Sequence, residues 1–162
     1  NFDFEGYAIG GLAVGEGHKK MIEVVDYTAP QLPEDKVRYL MGVGKPNDII
    51  EAVYRGVDIF DCVIPTREGR HGIAYIGSSS INLKNSKFES DLTPLDEGSD
   101  YFVSKKYSKS YLNHLLKIKD PLGPMLISLH NLNYYFNLMA NLGASIEEGR
   151  LDIFREDFYK DN

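Results

Sequence analysis

The chain has 162 residues, a formal net charge of -6 at pH 7 and 43% hydrophobic residues. These values predict a globular protein with a real core, and no stretch approaches the ~18 consecutive apolar residues of a membrane-spanning helix. The acidic balance argues against indiscriminate nucleic-acid binding but allows a local basic groove, and the single cysteine excludes an internal disulfide.

The first residues contain neither an initiator Met nor the basic and apolar regions of a signal peptide. We therefore expect the chain to begin part-way through a longer protein. A lone cysteine is typical of a reducing compartment, so we expect a cytoplasmic location without membrane contact.

The first 64 residues alternate strand-like and helix-like patterns joined by short links. Strands are predicted at residues 7–9, 37–41 and 57–64, and helices at residues 16–25 and from Lys45 to the glycine at position 56. This order predicts parallel strands in an α/β fold, with ligands bound where the strands end. Three strands make a poor sheet alone and a complete (β/α)8 barrel takes about 250 residues, so we expect the second part of such a barrel.

Residues 55–72 carry the most informative pattern of this first part. An apolar run holds one carboxylate, Asp61, and then opens into a predicted loop with two arginines, one histidine and two glycines. A carboxylate beside a cationic, glycine-rich loop favours chemistry next to a phosphate. The simpler interpretation is an ordinary strand-end acid, and Asp58, near the start of the same run, is expected to be structural.

The remainder of the chain changes character. Residues 73–76 and 80–83 are predicted to pair as a hairpin around residues 77–79. The final third is predicted to be helical. The expected apolar faces are, for a first helix, Tyr107, Tyr111, Leu115 and Ile118; for a second, Leu126, Leu129, Leu132, Phe136 and Met139; and for a third, interrupted at Gly149, Ile146, Phe154 and Phe158.

Four motifs together resemble the tRNA-guanine transglycosylase (queuine tRNA-ribosyltransferase) family. They are Gly-Gly-Leu-Ala-Val-Gly-Glu at 10–16, Tyr-Leu-Met-Gly-Val-Gly at 39–44, Phe-Asp-Cys-Val-Ile-Pro-Thr-Arg at 60–67 and Leu-His-Asn-Leu at 129–132. The resemblance covers essentially the whole chain. It implies the C-terminal part of a TIM barrel (residues 1–76), a zinc-subdomain region (77–120) and C-terminal helices (121–162).

The resemblance implies exchange of guanine at the anticodon wobble position of tRNA for a 7-deazaguanine base. It makes Asp61 the nucleophile that attacks ribose C1′ and forms a covalent tRNA intermediate. It places four residues at the base: Gly10, Gly11, Leu12 and Met41. It places twelve residues in RNA-contacting segments: Gly42, Val43, Gly44, Lys45, Pro46, Asn47, Asp48, Thr66, Arg67, Glu68, Gly69 and Arg70.

Val14 bears on the choice of base. Bacterial members of the family resemble this chain in having valine here, whereas eukaryotic members usually carry a smaller residue. A bulkier side chain in the wall of the base pocket suits the compact base preQ1 better than the larger queuine. The resemblance therefore implies a bacterial-type substrate.

The chain departs from the family at the zinc ligands. The family binds zinc through three cysteines and a histidine, and here those positions are Ser99, Tyr101, Ser104 and His130. Hydroxyl and phenol groups are poor zinc ligands beside thiolates, so we predict no zinc and no other cofactor. We expect Tyr101, Phe102 and Val103 to pack as an apolar cluster instead, and His130 to be a satisfied interior or capping histidine. Family dimers use this region, which leaves open whether this chain forms a homodimer.

The family's general acid/base aspartate and most residues that bind the guanine edge belong to an N-terminal half outside this sequence. Catalysis by these residues alone is therefore not expected. Two alternatives stay open: an inactive relative that binds tRNA or a catalytic subunit, and an unrelated half-barrel that binds a phosphorylated small molecule. A basic run at Lys105, Lys106, Lys109 and Lys117 is either a solvated helix face or a patch that tracks tRNA phosphates.

Overall fold

A computed structural model describes residues 3–12, 14–15 and 17–160. They form a mixed α/β structure with twelve named elements. The strands are β1 (Gly6–Ile9), β2 (Val37–Leu40), β3 (Ile59–Phe60), β4 (Ile73–Ile76) and β5 (Ser79–Asn82), and the helices are α1 (His18–Thr28), α2 (Pro46–Tyr54), α3 (Ile64–His71), α4 (Phe102–Lys106), α5 (Lys109–Lys117), α6 (Leu122–Glu147) and α7 (Leu151–Lys160). Short 3₁₀ turns lie at Ala29–Gln31 and Ser86–Phe88.

The chain divides into two compact units. The first contains the described residues up to Val63 together with Leu142–Arg155. The second contains Ile64–Asn141 and the described residues from Glu156 onward. The division into barrel, zinc-subdomain region and C-terminal helices stays a prediction.

The first unit contains the predicted parallel sheet, in the order β1-β2-β3. In β2, Leu40 is fully buried and faces a core that it shares with α1 and α2, whereas Tyr39 and Met41 face the opposite side. The register pairs Leu40 with Phe60, which brings the position after β2 beside the position after β3. One side of the sheet is thus covered by helices. The other side exposes Met41 and Ile59, at 45% and 49% of their surface.

The helices of this unit begin and end close to the predicted places. Pro46 starts α2, where its missing N–H is tolerated, and Gly56, at φ 87°, follows its end. α1 begins at His18; the predicted helix start at Glu16 lies outside the described residues.

A buried carboxylate joins α7 to α2. Glu51 lies 2.7 Å from Nη1 of Arg55 and 2.7 Å from Nε of Arg155, and only 8% of its side chain is exposed. Arg155 also stacks on the Tyr54 ring at 4.6 Å. Two guanidinium groups compensate the charge of Glu51, and the ion pair with Arg155 ties α7 to α2.

In the second unit the predicted hairpin is present but shifted by one residue, with β5 beginning at Ser79. The core is built from nine buried apolar side chains of the hairpin, the following loop and α4 to α6: Ala74, Leu83, Phe88, Leu95, Val103, Leu112, Leu115, Leu126 and Ile127.

Three sequence predictions in these regions were wrong in detail. The apolar run 57–64 forms only the two-residue strand β3. The predicted glycine-rich loop is helix α3, in which Pro65 suits the first turn and Gly69 lies within the helix. Helix α5 excludes Tyr107 and Ile118.

On α6 the predicted stripe is only partly correct, because Leu126 is buried and Leu129 packs on the core but two other members do not. Leu132 and Phe136 are exposed, whereas the buried face carries Leu126, Ile127 and the polar pair His130 and Asn131. A helix that buries polar side chains cannot be oriented by hydrophobicity alone. In the predicted apolar cluster, Val103 is buried and Tyr101 is half-buried, but Phe102 is 57% exposed.

Candidate functional site

Asp61 lies exposed one residue beyond β3, on the open side of the parallel sheet. Its Oδ1 accepts a hydrogen bond from the Tyr39 hydroxyl at 2.6 Å and another from the Gly42 N–H at 2.9 Å. Both donors come from β2 and the turn after it, so the carboxylate is held across the ends of two strands. This geometry excludes the possibility that Asp61 points into packed hydrocarbon.

The two donors also set the charge of the site. The Tyr39 hydrogen bond first, and then the Gly42 N–H, hold the pKa of Asp61 below its ordinary value. In return, the Asp61 carboxylate raises the pKa of Tyr39, which therefore stays a donor. The arrangement presents an ionised, oriented carboxylate to solvent.

Two of the predicted base-binding residues lie together at the same edge. A side-chain carbon at Gly10 would stand 3.3 Å from Sδ of Met41, and the Met41 N–H bonds the Ile9 carbonyl at 3.0 Å. Gly11 has φ 75°, a backbone conformation that favours glycine. Leu12 packs on the core behind them. The structure thus brings Gly10 and Met41 together on an exposed surface.

The segment from Gly42 to Asp48 follows β2 and starts α2. The side chains of Val43 and Pro46 are buried, and Gly44 is buried as well. Lys45 and Asn47 are exposed, and Asp48 makes an ion pair with His18 at the start of α1. Within this segment the side chains that reach solvent are therefore few.

The second predicted RNA-contacting segment, Thr66 to Arg70, lies on α3 in the other unit. Arg67 and Arg70 are exposed, while Gly69 is buried against α6. A side-chain carbon at Gly69 would stand 2.8 Å from the Ser128 backbone, so only glycine allows the two helices to approach this closely.

Asn131 fixes the start of α3. Its amide nitrogen donates to the carbonyls of Pro65 and Ile73, each at 2.9 Å, and its oxygen accepts from the Tyr75 N–H at 3.1 Å. The side chain is fully buried. Helix α3, which carries both arginines, is thus fixed at its start by Asn131 and packs closely on α6 at Gly69.

Tyr39, His18 and Asn131 were not predicted as site or positioning residues. Tyr39 was detectable, because it shares the strand face of Met41 two residues later. The partner of His18 is thirty residues away and that of Asn131 more than fifty, and no local pattern reports such contacts.

The competing residues have structural partners. The Asp58 carboxylate accepts from the Arg38 N–H at 2.8 Å, as expected for a structural acid. Cys62 is half-buried. In the basic run, Lys105 pairs with Asp100 and Lys117 with Glu89, which favours a solvated face.

The four positions matched to zinc ligands hold no thiolate. Ser104 Oγ lies 2.8 Å from Nδ1 of His130, and Nε2 of His130 lies 2.7 Å from the Tyr75 carbonyl. His130 is 2% exposed, which confirms the interior, satisfied histidine that we expected. This donor set does not fit a zinc ion.

Comparison with known proteins assigns the chain to one protein family. The sequence model of a family described as queuine tRNA-ribosyltransferase matches residues 1–162. A queuine tRNA-ribosyltransferase of Caulobacter vibrioides is 59% identical over 155 residues, which cover 96% of this chain and 42% of the relative. One of Photobacterium profundum is 52% identical over 159 residues, covering 98% and 42%. One of Francisella tularensis subsp. tularensis is 51% identical over 156 residues, covering 96% and 42%. The chain therefore spans about two fifths of the length of these curated relatives.

Proposed function

We propose, because the chain belongs to the queuine tRNA-ribosyltransferase family, that it is the nucleophile-bearing part of an enzyme that exchanges guanine at the tRNA wobble position for a preQ1-type 7-deazaguanine. The observation that carries the proposal is the exposed Asp61 carboxylate, held ionised by Tyr39 and Gly42 at the strand ends beside Gly10 and Met41.

The open side of the sheet supports assignment to a TIM barrel. In such a barrel the inner faces of the strands pack on one another, and catalytic residues lie at the strands' carboxyl ends. Met41 and Ile59 are exposed on the side away from the helices, as expected for strands whose barrel partners lie on a further segment. We propose that a further segment, not part of this sequence, supplies those strands and the general acid/base.

The reaction at Asp61 is a double displacement. Its carboxylate oxygen bonds to ribose C1′ while the bond from C1′ to guanine N9 breaks, and guanine leaves with the electron pair and takes up a proton. The incoming 7-deazaguanine then loses its N9 proton, attacks C1′ and displaces Asp61. Both hydrogen bonds end on Oδ1, so we assign the attack to Oδ2.

The remaining residues hold the substrates. Gly10, Gly11 and Met41 form a surface for the flat base, with Leu12 behind them and Val14 limiting its size. The exposed groups suited to tRNA phosphates are Lys45 and Asn47 on the segment after β2, and Arg67 and Arg70 on α3.

A membrane-spanning helix is not found among the described residues, because none of their helices combines the required length and hydrophobicity. We keep a cytoplasmic location as part of this proposal.

The loss of the three cysteines favours a second candidate, a relative that binds tRNA or a catalytic subunit without chemistry. The two proposals separate in one experiment. The chain is mixed with the N-terminal part of the Caulobacter relative, a tRNA with a wobble guanine and preQ1, and the products are run on a denaturing gel.

We expect a covalent RNA adduct that the Asp61→Asn variant abolishes and that the exposed control Asp35→Asn retains. An adduct undiminished in Asp61→Asn would exclude Asp61 as the nucleophile. Salt-dependent tRNA binding without adduct or exchange would establish the non-catalytic role instead.

A further inference from the structure

The second unit contains a polar bridge that links three distant parts of the chain. We infer that this bridge, formed by Ser104, His130 and the Tyr75 carbonyl, takes the place of the family's zinc ion, so that the unit folds without metal. The inference concerns folding and goes beyond the proposed exchange reaction.

The hydrogen bonds assign every proton of the bridge. A carbonyl oxygen only accepts, so Nε2 of His130 must carry the hydrogen that it donates to Tyr75 at 2.7 Å. In a neutral imidazole the other nitrogen, Nδ1, then holds a lone pair, which accepts the Ser104 hydroxyl at 2.8 Å. A metal would need that same lone pair, and a serine proton already occupies it.

Burial keeps the imidazole in this form. His130 is 2% exposed and Ser104 is fully buried. Desolvation lowers the pKa of His130, which favours the neutral ring. Because neither group reaches solvent, the pair is not a catalytic serine–histidine dyad.

The other two matched positions also have metal-free roles. Ser99 Oγ accepts from the Tyr101 N–H at 3.2 Å, which closes a local turn. The Tyr101 ring packs on the apolar core and lies 5.0 Å from the Phe102 ring. All four positions therefore have protein partners.

The bridge joins the α4 region to α6, as a metal held by these positions would, and it also reaches β4 through the Tyr75 carbonyl. Ser104 belongs to α4, His130 to α6 and Tyr75 to β4, with sequence separations of 26 and 55 residues. Next to it, the Ser104 carbonyl accepts from the Asp96 N–H at 3.1 Å, and Val103 is fully buried in the core. The segment from Asp96 to Ser104 is thus fixed by hydrogen bonds and apolar packing.

The first test uses the purified chain. We expect elemental analysis, after growth with added zinc, to find far less than one zinc per chain, and the unfolding temperature to be the same with and without a strong chelator. One zinc per chain, or a lower unfolding temperature in chelator, would overturn the inference.

The second test removes the bridge. Ser104→Ala leaves the His130 lone pair without a donor, so we expect the unfolding temperature to fall by about 5 °C. The fall should be independent of chelator, and the exposed control Ser90→Ala should not show it. An unchanged unfolding temperature in Ser104→Ala would refute a stabilising bridge.

The third test restores the thiolates. The variant Ser99→Cys, Tyr101→Cys, Ser104→Cys is expected to bind one zinc with His130 and to become sensitive to chelator. Circular dichroism of this variant with zinc reports whether it folds. A folded triple variant that takes up no zinc would show that the bridge does not occupy a metal position.

Discussion

The buried polar residues of the second unit differ from the polar pair on the open side of the sheet in the first unit. In the second unit, the buried side chains of Asn113, His130 and Asn131 each bond to backbone carbonyls at 3.1 Å or less. In the first unit, the hydrogen-bonded pair Tyr39 and Asp61 stands on the uncovered side of a sheet. Polar groups that are hydrogen-bonded inside a core stabilise the fold. Polar groups that are hydrogen-bonded on the exposed side of a sheet can still contact a substrate.

The comparison predicts that substitutions in the core of the second unit chiefly change stability. Substitutions on the open side of the parallel sheet should chiefly change activity. Each prediction below tests one side of it, from the largest expected effect to the smallest.

Asn131→Ala should have the largest effect. It leaves one N–H and two carbonyls without their partner, and at ~1–3 kcal/mol for each buried unsatisfied group we expect a loss of about 4 kcal/mol of unfolding free energy. Urea denaturation measures it. The exposed Asn137→Ala on the same helix serves as control, and equal effects of the two would break the comparison.

Glu51→Gln tests the helical side of the first unit. The variant removes the charge that Arg55 and Arg155 share, and breaking a mostly buried ion pair should destabilise by about 3 kcal/mol. Denaturation of Glu51→Gln beside the exposed Glu23→Gln checks it. A loss confined to below about 0.5 kcal/mol would mean that α7 is held by other contacts.

Gly69→Ala tests how closely α3 packs on α6 in the second unit. The added carbon would stand 2.8 Å from the Ser128 backbone, so we expect a loss of about 2 kcal/mol and weaker tRNA binding by α3. Gly143 on α6 has no atom within 4 Å of the added carbon, and Gly143→Ala should stabilise by up to about 1 kcal/mol. Thermal unfolding should show opposite signs for the two variants, and tRNA anisotropy should report weaker binding for Gly69→Ala alone.

Tyr39→Phe should barely change stability but should change the reaction. The variant removes the main cause of the lowered Asp61 pKa, so that pKa should rise toward its ordinary value. Protonation would then begin at a higher pH. The acid limb of adduct formation by the reconstituted enzyme should move upward, with a rate lower by roughly tenfold. An unmoved acid limb would show that Gly42 alone sets the charge.

Much of this architecture could be predicted from the sequence. Short apolar runs bounded by glycine predict the three parallel strands, although the third run overestimates the length of β3. The prolyl start of α2 is also predicted, since these signals are local. The position of Asp61 at a strand end followed from the same pattern.

The contacts that hold the site depend on residues far apart in sequence, and no local pattern reports them. The pattern of Gly69 and Gly72 predicts a loop where the structure has helix α3, whereas Gly69 is required by the nearness of α6. The face of α6 was misplaced because it buries His130 and Asn131. Tyr39 was overlooked although strand alternation puts it beside Met41.

Cys62 directly follows Asp61, the proposed nucleophile, and is half-buried. Because the chain has one sulfhydryl, a thiol-directed fluorophore or spin label would attach at one defined atom. Spectral changes on adding base or tRNA would then come from the neighbourhood of the carboxylate, without engineering out other cysteines.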